Sequence, residues 1–213
     1  MIVNEHVSRY IESLDADMPS ELLMLEKWAL QNEVPIIRHD TQQYLRFLLT
    51  KEKPKAILEI GTAIGFSALY MHEYAPADCR ITTLEKVEMR LVKARKNLAD
   101  HERIRLIEGD AGDSLKTLAL KGEKYNLIFL DAAKGQYSAW LPDILKLLAG
   151  GGLLLTDNVL LEGSIAESKF SIERRDRTIH MRMREYLYTL THTDGLETVI
   201  LPIGDGLAVS LLK

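Results

Sequence analysis

The stretch Y-N-L-I-F-L-D at 125–131, a helix-length segment at 137–148 and then G-L-L-L-T-D-N at 152–158 decides the fold. Each apolar run is short and ends in hard oxygen donors: Asp131 on the first, Asp157 and Asn158 on the second. A strand–helix–strand unit in a parallel sheet brings both strand ends to one edge, with neighbouring strands about 4.8 Å apart. Three such side chains can converge on one small divalent cation, which prefers oxygen and leaves positions for substrate oxygens. Taken singly, Asp131 can also cap the next helix, and Asp157-Asn158 can form a turn.

The same alternation extends in both directions. Strands are predicted at 56–60, 81–85, 104–108, 125–131, 152–157, 196–202 and 206–212. Helices fall at about 66–75, 87–100, 111–121, 137–148 and 177–192. This predicts an α/β fold: a Rossmann-like, doubly wound, seven-stranded, mostly parallel sheet with helices on both faces. L-E-T-V-I-L-P-I, G-D-G and L-A-V-S-L-L-K read as a closing hairpin, so the last strand should be antiparallel. Extra N-terminal helices precede it at roughly 4–14, 20–32 and 40–52, with starts at Pro19-Ser20 and Asp40-Thr41. The expected organisation is one domain over 1–213, with a helical cap at 1–53 and a Rossmann-like core at 54–213.

Composition sets outer bounds. With 213 residues, 46% of them apolar, the chain can bury one sizeable core. A net charge of −4 argues against an overall basic coat, though not against a local basic patch. A single cysteine, Cys79, excludes an internal disulfide framework and a thiolate zinc cage. The opening M-I-V-N-E-H-V-S-R-Y has no leader pattern, and no apolar run is long enough to span a bilayer. The expectation is a cytoplasmic protein without membrane association.

The first strand–helix turn is E-I-G-T-A-I-G at 59–65. Gly61 and Gly65 allow a sharp turn and close approach to a ligand, and the following helix points its positive end there. The dinucleotide spacing G-x-G-x-x-G is not met, which disfavours a nicotinamide dehydrogenase. Glu59 can hold the ammonium of an amino-acid-like cofactor, and Ser67 can donate from the helix start. Glu85 ends the second strand, where an acid can accept both hydroxyls of an adenosine ribose. Asp110 and Ala111, after the third strand, can border the adenine. A close-packed turn without a ligand remains the alternative for the glycines.

Together these residues resemble the class I, cation-dependent O-methyltransferases, the family of catechol and caffeoyl-coenzyme A O-methyltransferases. L-E-I-G-T-A-I-G-F-S resembles the family's cofactor motif, I-F-L-D-A-A-K its first metal motif and L-L-T-D-N-V its second. The similarity runs from about residue 34 to the C-terminus. It implies S-adenosylmethionine near Ile37, Glu59, Gly61, Ser67, Glu85, Ala111 and Asp131. It also implies Mg²⁺ or Mn²⁺ on Asp131, Asp157 and Asn158, Lys134 as general base, catalysis centred on Lys134 and Asp131, and a homodimer. V-P-I-I-R at 34–38 matches a stretch whose backbone helps to close the cofactor pocket. The chemistry is in-line methyl transfer to a hydroxyl, for which a bound cation stabilises the attacking oxyanion.

The acceptor is read from 169–186, K-F-S-I-E-R-R-D-R-T-I-H-M-R-M-R-E-Y. On a helix from Arg177, period 3.6 places Ile179, Met183, Tyr186, Leu187 and Leu190 on one face and Arg177, His180 and Arg184 on another. Arg174, Arg175, Arg177 and Arg184 can form a phosphate-binding rim. A solvated face with local ion pairs such as Arg182–Glu185 is the bland alternative. The arginine pattern, with the N-terminal helices, is similar to a bacterial branch of the family that methylates 5-hydroxyuridine at the tRNA wobble position. That resemblance implies a tRNA anticodon loop as partner. A small-molecule catechol or hydroxycinnamoyl acceptor, and a non-catalytic cofactor-binding protein, are the other readings.

Overall fold

The computed structural model describes residues 4–15 and 18–213; the opening M-I-V lies outside them. Seven strands form one sheet: β1 (Ala56–Ile60), β2 (Arg80–Glu85), β3 (Ile104–Glu108), β4 (Tyr125–Leu130), β5 (Leu148–Thr156), β6 (Leu196–Leu201) and β7 (Leu207–Leu212). Their order is β3-β2-β1-β4-β5-β7-β6, and β7 runs antiparallel to both neighbours. The doubly wound sheet with an antiparallel last strand therefore stands as the sequence predicted.

Helices α1 (Glu5–Glu12), α2 (Ser20–Gln31) and α3 (His39–Glu52) precede the sheet. Then α4 (Phe66–Tyr74), α5 (Glu88–Leu98), α6 (Ala111–Leu120), α7 (Tyr137–Leu147) and α8 (Arg177–His192) connect its strands. Strand alternation divides the core between two layers. Leu127 and Phe129 of β4 face the side covered by α2–α5, and Ile128 and Leu130 face the side covered by α6–α8. Each such fully buried side chain contributes about 1.5–3 kcal/mol of transfer free energy. Among the described residues, no helix is long and apolar enough to cross a membrane.

Two elements differ from expectation. Strand β5 starts at Leu148, four residues before the predicted start, because Leu148 pairs with Tyr125 and a register shift then absorbs the glycines. Gly151 takes φ +74° there, a conformation that glycine adopts without strain. Helix α8 buries a different stripe: His180, Met183, Tyr186 and Leu190, while Ile179 is exposed. His180 tolerates burial because its Nε2 lies 3.1 Å from the Ser164 carbonyl oxygen.

Candidate active site

Parallel register places the ends of β4 and β5 side by side. Leu130 pairs with Thr156, so Asp131 and Asp157 leave the sheet abreast. The Asp131 amide donates to the Ile60 carbonyl and the Asp157 amide to the Leu130 carbonyl, each at 3.0 Å. Asp157 is buried, and Asp131 and Asn158 are half-buried. Asn158 holds φ +58°, a left-handed conformation that asparagine accepts more readily than most residues. Its amide donates 2.7 Å to Asp157 Oδ1.

The electrostatics of this corner are unfavourable as they stand. Among the described residues no ion pair reaches Asp131 or Asp157; the Lys134 ammonium goes to Asp205 instead, Nζ–Oδ2 3.6 Å. Burial pushes the Asp157 carboxyl up, and the negative charge of Asp131 adds to that. Burial likewise raises Asp131, partly opposed by the charges of Lys134 and Arg90. Two adjoining carboxylates, both held toward protonation, form an excess of negative charge that a bound cation would relieve. The donors are two carboxylates and an amide oxygen; no cluster of three or more His, Cys, Asp or Glu forms among the described residues. That mixed oxygen set suits Mg²⁺ or Mn²⁺.

A cavity of about 560 Å³ opens at the same sheet edge. Ile37, Gly61, Ser67, Glu85, Ala111, Asp131, Lys134, Asp157 and Asn158, all singled out in the sequence, line it together. Gly61 turns at φ +112°, where its amide and that of Thr62 both donate 3.1 Å to the Leu84 carbonyl. Glu85 is fixed by three backbone donors at 2.9 Å: Ala63 to Oε2, and Lys86 and Val87 to Oε1. A carboxylate so restrained presents its remaining lone pairs in one direction, as a ribose diol requires. The Ile37 carbonyl accepts from Gln42 Nε2 at 2.9 Å, which pins the 34–38 segment as a wall.

Glu59 corrects the sequence reading. It is fully buried and does not line the cavity; Ser67 Oγ donates to its Oε1 and Thr83 Oγ1 to its Oε2. Burial pushes this carboxyl up to about 7, against the opposing pull of those two hydroxyls. Any influence on a ligand ammonium passes through Ser67, whose hydroxyl proton Glu59 occupies, leaving its oxygen as an acceptor toward the cavity.

The arginine rim also needs correction. None of Arg174, Arg175, Arg177 and Arg184 lines the cavity. Arg177 donates to the carbonyls of Ile172 (2.9 Å) and Phe170 (3.3 Å), and Arg184 to those of Ile165 (3.0 Å) and Glu167 (3.4 Å). These two staple the loop before α8, because the irregular backbone there leaves carbonyls that need donors. Arg182 does not pair with Glu185 but donates 3.0 Å to the Gly135 carbonyl. Arg174 and Arg175 are exposed, the latter held by Glu173 (3.1 Å) and Asp176 (3.5 Å).

Sequence reasoning missed Arg38, Arg90, Trp140 and Asp205, all of which line the cavity. Arg38 lay within the quoted V-P-I-I-R and Asp205 within G-D-G, where only backbone and turn roles were read. Trp140 sits on α7 among apolar neighbours and carried no signal beyond core packing.

Sheet order, cavity and donor set define the class: a Rossmann-like fold with a nucleotide-type cofactor site at the carboxyl ends of its strands. Comparison with known proteins then gives the family. The O-methyltransferase family model matches residues 12–213. Catechol O-methyltransferase of Mycobacterium tuberculosis is 32% identical over 192 residues, covering 85% of this chain and 83% of that one. A catechol O-methyltransferase of Niastella koreensis is 28% identical, covering 98% and 97%. A candidate caffeoyl-CoA O-methyltransferase from Staphylococcus aureus superposes with TM-score 0.90 at 32% identity, over 98% of this chain and 100% of that one. The SAH-bound methyltransferase PaMTH1 of Podospora anserina superposes with TM-score 0.87 at 27% identity, over 99% and 97%. The chain belongs to the O-methyltransferase family and is an S-adenosylmethionine-dependent O-methyltransferase, similar to relatives named for catechol and caffeoyl-CoA.

Proposed function

We propose that this enzyme methylates one of two vicinal oxygens on its acceptor in a divalent-cation-dependent reaction, and that the acceptor is 5-hydroxyuridine at the wobble position of tRNA, giving 5-methoxyuridine. The observation that carries the cation dependence is the pair of neighbouring carboxylates in the wall of the cofactor cavity, Asp131 and Asp157, which no ion pair reaches among the described residues. Asp131, Asp157 and Asn158 would hold Mg²⁺ or Mn²⁺. A cation there supplies Lewis-acid stabilisation of the acceptor oxyanion.

The remaining work falls to the chain. Glu85 would fix the ribose end of the cofactor, Ser67 would offer an acceptor oxygen to its ammonium, and Trp140 with Ala111 would wall the base. Lys134 stands at the cavity wall, where its Nζ, having first given up its own proton to solvent, would accept the acceptor's hydroxyl proton as a neutral amine. The walls exclude water and hold the reacting atoms in line, the main route by which a bimolecular displacement is accelerated.

For the acceptor, three features support tRNA. The 5-hydroxyl and O4 of 5-hydroxyuridine are vicinal oxygens, as in a catechol. The basic segment 169–177 directly follows the loop leaving Asn158. Within it Phe170 is 76% exposed, with the Lys169 ammonium 5.3 Å over its ring, a surface on which a splayed base can stack. The same reading assigns the enzyme to the cytoplasm, and Val7, Tyr10, Ile11 and Leu14 on and just after α1 offer an apolar surface for a homodimer.

The test is nucleoside mass spectrometry of tRNA from a deletion strain. Loss of 5-methoxyuridine with accumulation of 5-hydroxyuridine supports the assignment, and an unchanged profile overturns it. The second reading, a small catechol-type acceptor, is favoured by the names of the catechol O-methyltransferase relatives. Turnover of a free catechol alongside an unchanged tRNA profile would establish it.

A further inference from the structure

The G-D-G turn at 204–206 was read in the sequence only as a hairpin, yet the structure builds it into the active site. Asp205 is 4% exposed and lines the cavity. Its Oδ2 lies 3.6 Å from Lys134 Nζ, and its Oδ1 accepts from the Glu162 amide. The backbone around it is equally committed: the Leu160 amide donates 2.9 Å to the Asp205 carbonyl, and the Val159 amide 3.0 Å to that of Gly206. Gly206 sits at φ +85°, and a β-carbon there would be 2.6 Å from Leu160 Cβ, so the turn and the loop leaving Asn158 fit only with a glycine between them.

Neither the position of Lys134 nor its choice of partner follows from its own loop. Asp131 and Asp157 together carry up to two negative charges in the same cavity, and the Lys134 ammonium is felt by Asp131. An unrestrained lysine on a four-carbon stem would neutralise that pair directly and compete with a cation for it. We infer that Asp205 is a positioning residue: its carboxylate holds the Lys134 ammonium off the Asp131–Asp157 pair, while the same side chain fixes the loop that follows Asn158. The inference rests on the cation reading above. The charge of Asp205 thereby keeps the cation site open and the base lateral to it.

The test is Mn²⁺ binding to the full chain, by calorimetry in the presence of S-adenosylhomocysteine, over the cycle wild type, Asp205→Asn, Lys134→Met and the double variant. Asparagine still accepts from the Glu162 amide but no longer attracts an ammonium. Asp205→Asn is expected to weaken Mn²⁺ binding by roughly tenfold, in the range for residues that orient metal ligands. In the Lys134→Met background the same substitution should change affinity by less than about twofold, well below that range. Equal weakening in both backgrounds means that Asp205 acts by its own charge alone, and overturns the inference. So does no weakening in either. Failure of the wild-type chain to bind Mn²⁺ overturns the cation reading, and the inference with it. Asp205→Ala, which also releases the Glu162 amide, separates loop support from charge: it should lower the melting temperature where Asp205→Asn does not.

Discussion

A β-carbon on Gly61 would overlap the carbonyl oxygen of Asp131 and lie 2.8 Å from its carbonyl carbon. The Gly61 turn and Asp131, the first of the proposed cation ligands, are thus in backbone contact, and the spacing between these two parts of the cavity wall is set by the absence of a side chain. Gly61→Ala adds that clash to a φ of +112°. Such strain costs about 1–3 kcal/mol, or several degrees of melting temperature. The variant should melt lower and lose S-adenosylhomocysteine binding in calorimetry. Wild-type affinity would mean that the turn tolerates displacement.

Removal of Asp157, a proposed cation ligand, should have opposite effects on activity and on metal-free stability. Asp157→Asn should lower methyl transfer by at least about a hundredfold through lost charge stabilisation. It should also raise the cation-free melting temperature near neutral pH, because it deletes a buried charge. The sign follows from the raised carboxyl: its protonated form stabilises the fold below the ordinary carboxylate pKa of about 4, and that contribution is lost as pH climbs toward the higher folded value. Mg²⁺ should therefore raise the melting temperature more at pH 8 than at pH 5 in the wild type, and at neither pH in the variant. Scanning calorimetry at the two pH values reads both.

A second titration lies in the N-terminal helices. His39 Nε2 is 3.3 Å from Glu26 Oε1 and its Nδ1 is 3.7 Å from Asp15 Oδ2. The hydrogen bond to Glu26, opposed by burial, raises the imidazole to about 9. A raised cation contributes stability that is complete below its unfolded pKa of about 6.5 and is lost as pH rises through 9. His39→Gln should thus lower the melting temperature at pH 6 and match the wild type above pH 9.5. A constant difference across that range would exclude the ion pair as its cause.

Neutralising the exposed arginines separates the two acceptors. Arg174→Gln with Arg175→Gln should weaken tRNA methylation and flatten its dependence on salt, the slope falling by about one to two phosphate contacts. Methylation of a free catechol by the same variant should stay within about twofold of wild type, since rim charges act on the polyanion. Parallel steady-state assays at 50 and 200 mM salt measure both. Equal loss of both activities would remove the rim from acceptor recognition.

Much of the fold was legible because the strands around 125–158 are short apolar runs with oxygen-bearing side chains at their ends, and a parallel sheet has one edge where such ends meet. Asp131, Asp157, Asn158, Lys134, Gly61 and Glu85 were legible for that reason. What escaped depended on contacts outside the regular helix and strand patterns. Glu59 is drawn inward by Ser67 and Thr83, which no local pattern announces. Arg177 and Arg184 looked like free cations but are consumed by carbonyls of an irregular loop. His180 took a core position because Ser164 supplied its partner. Asp205 passed as a turn residue because the groups it holds, on Glu162 and Lys134, lie 43 residues and more away.

The central claim is that Asp131, Asp157 and Asn158 gather one cation beside the cofactor cavity. Crystals grown with S-adenosylhomocysteine and Mn²⁺, measured at the manganese absorption edge, test it most directly. An anomalous peak within about 2.0–2.4 Å of oxygens from all three side chains is predicted. No peak there, or one held by other residues, would contradict it.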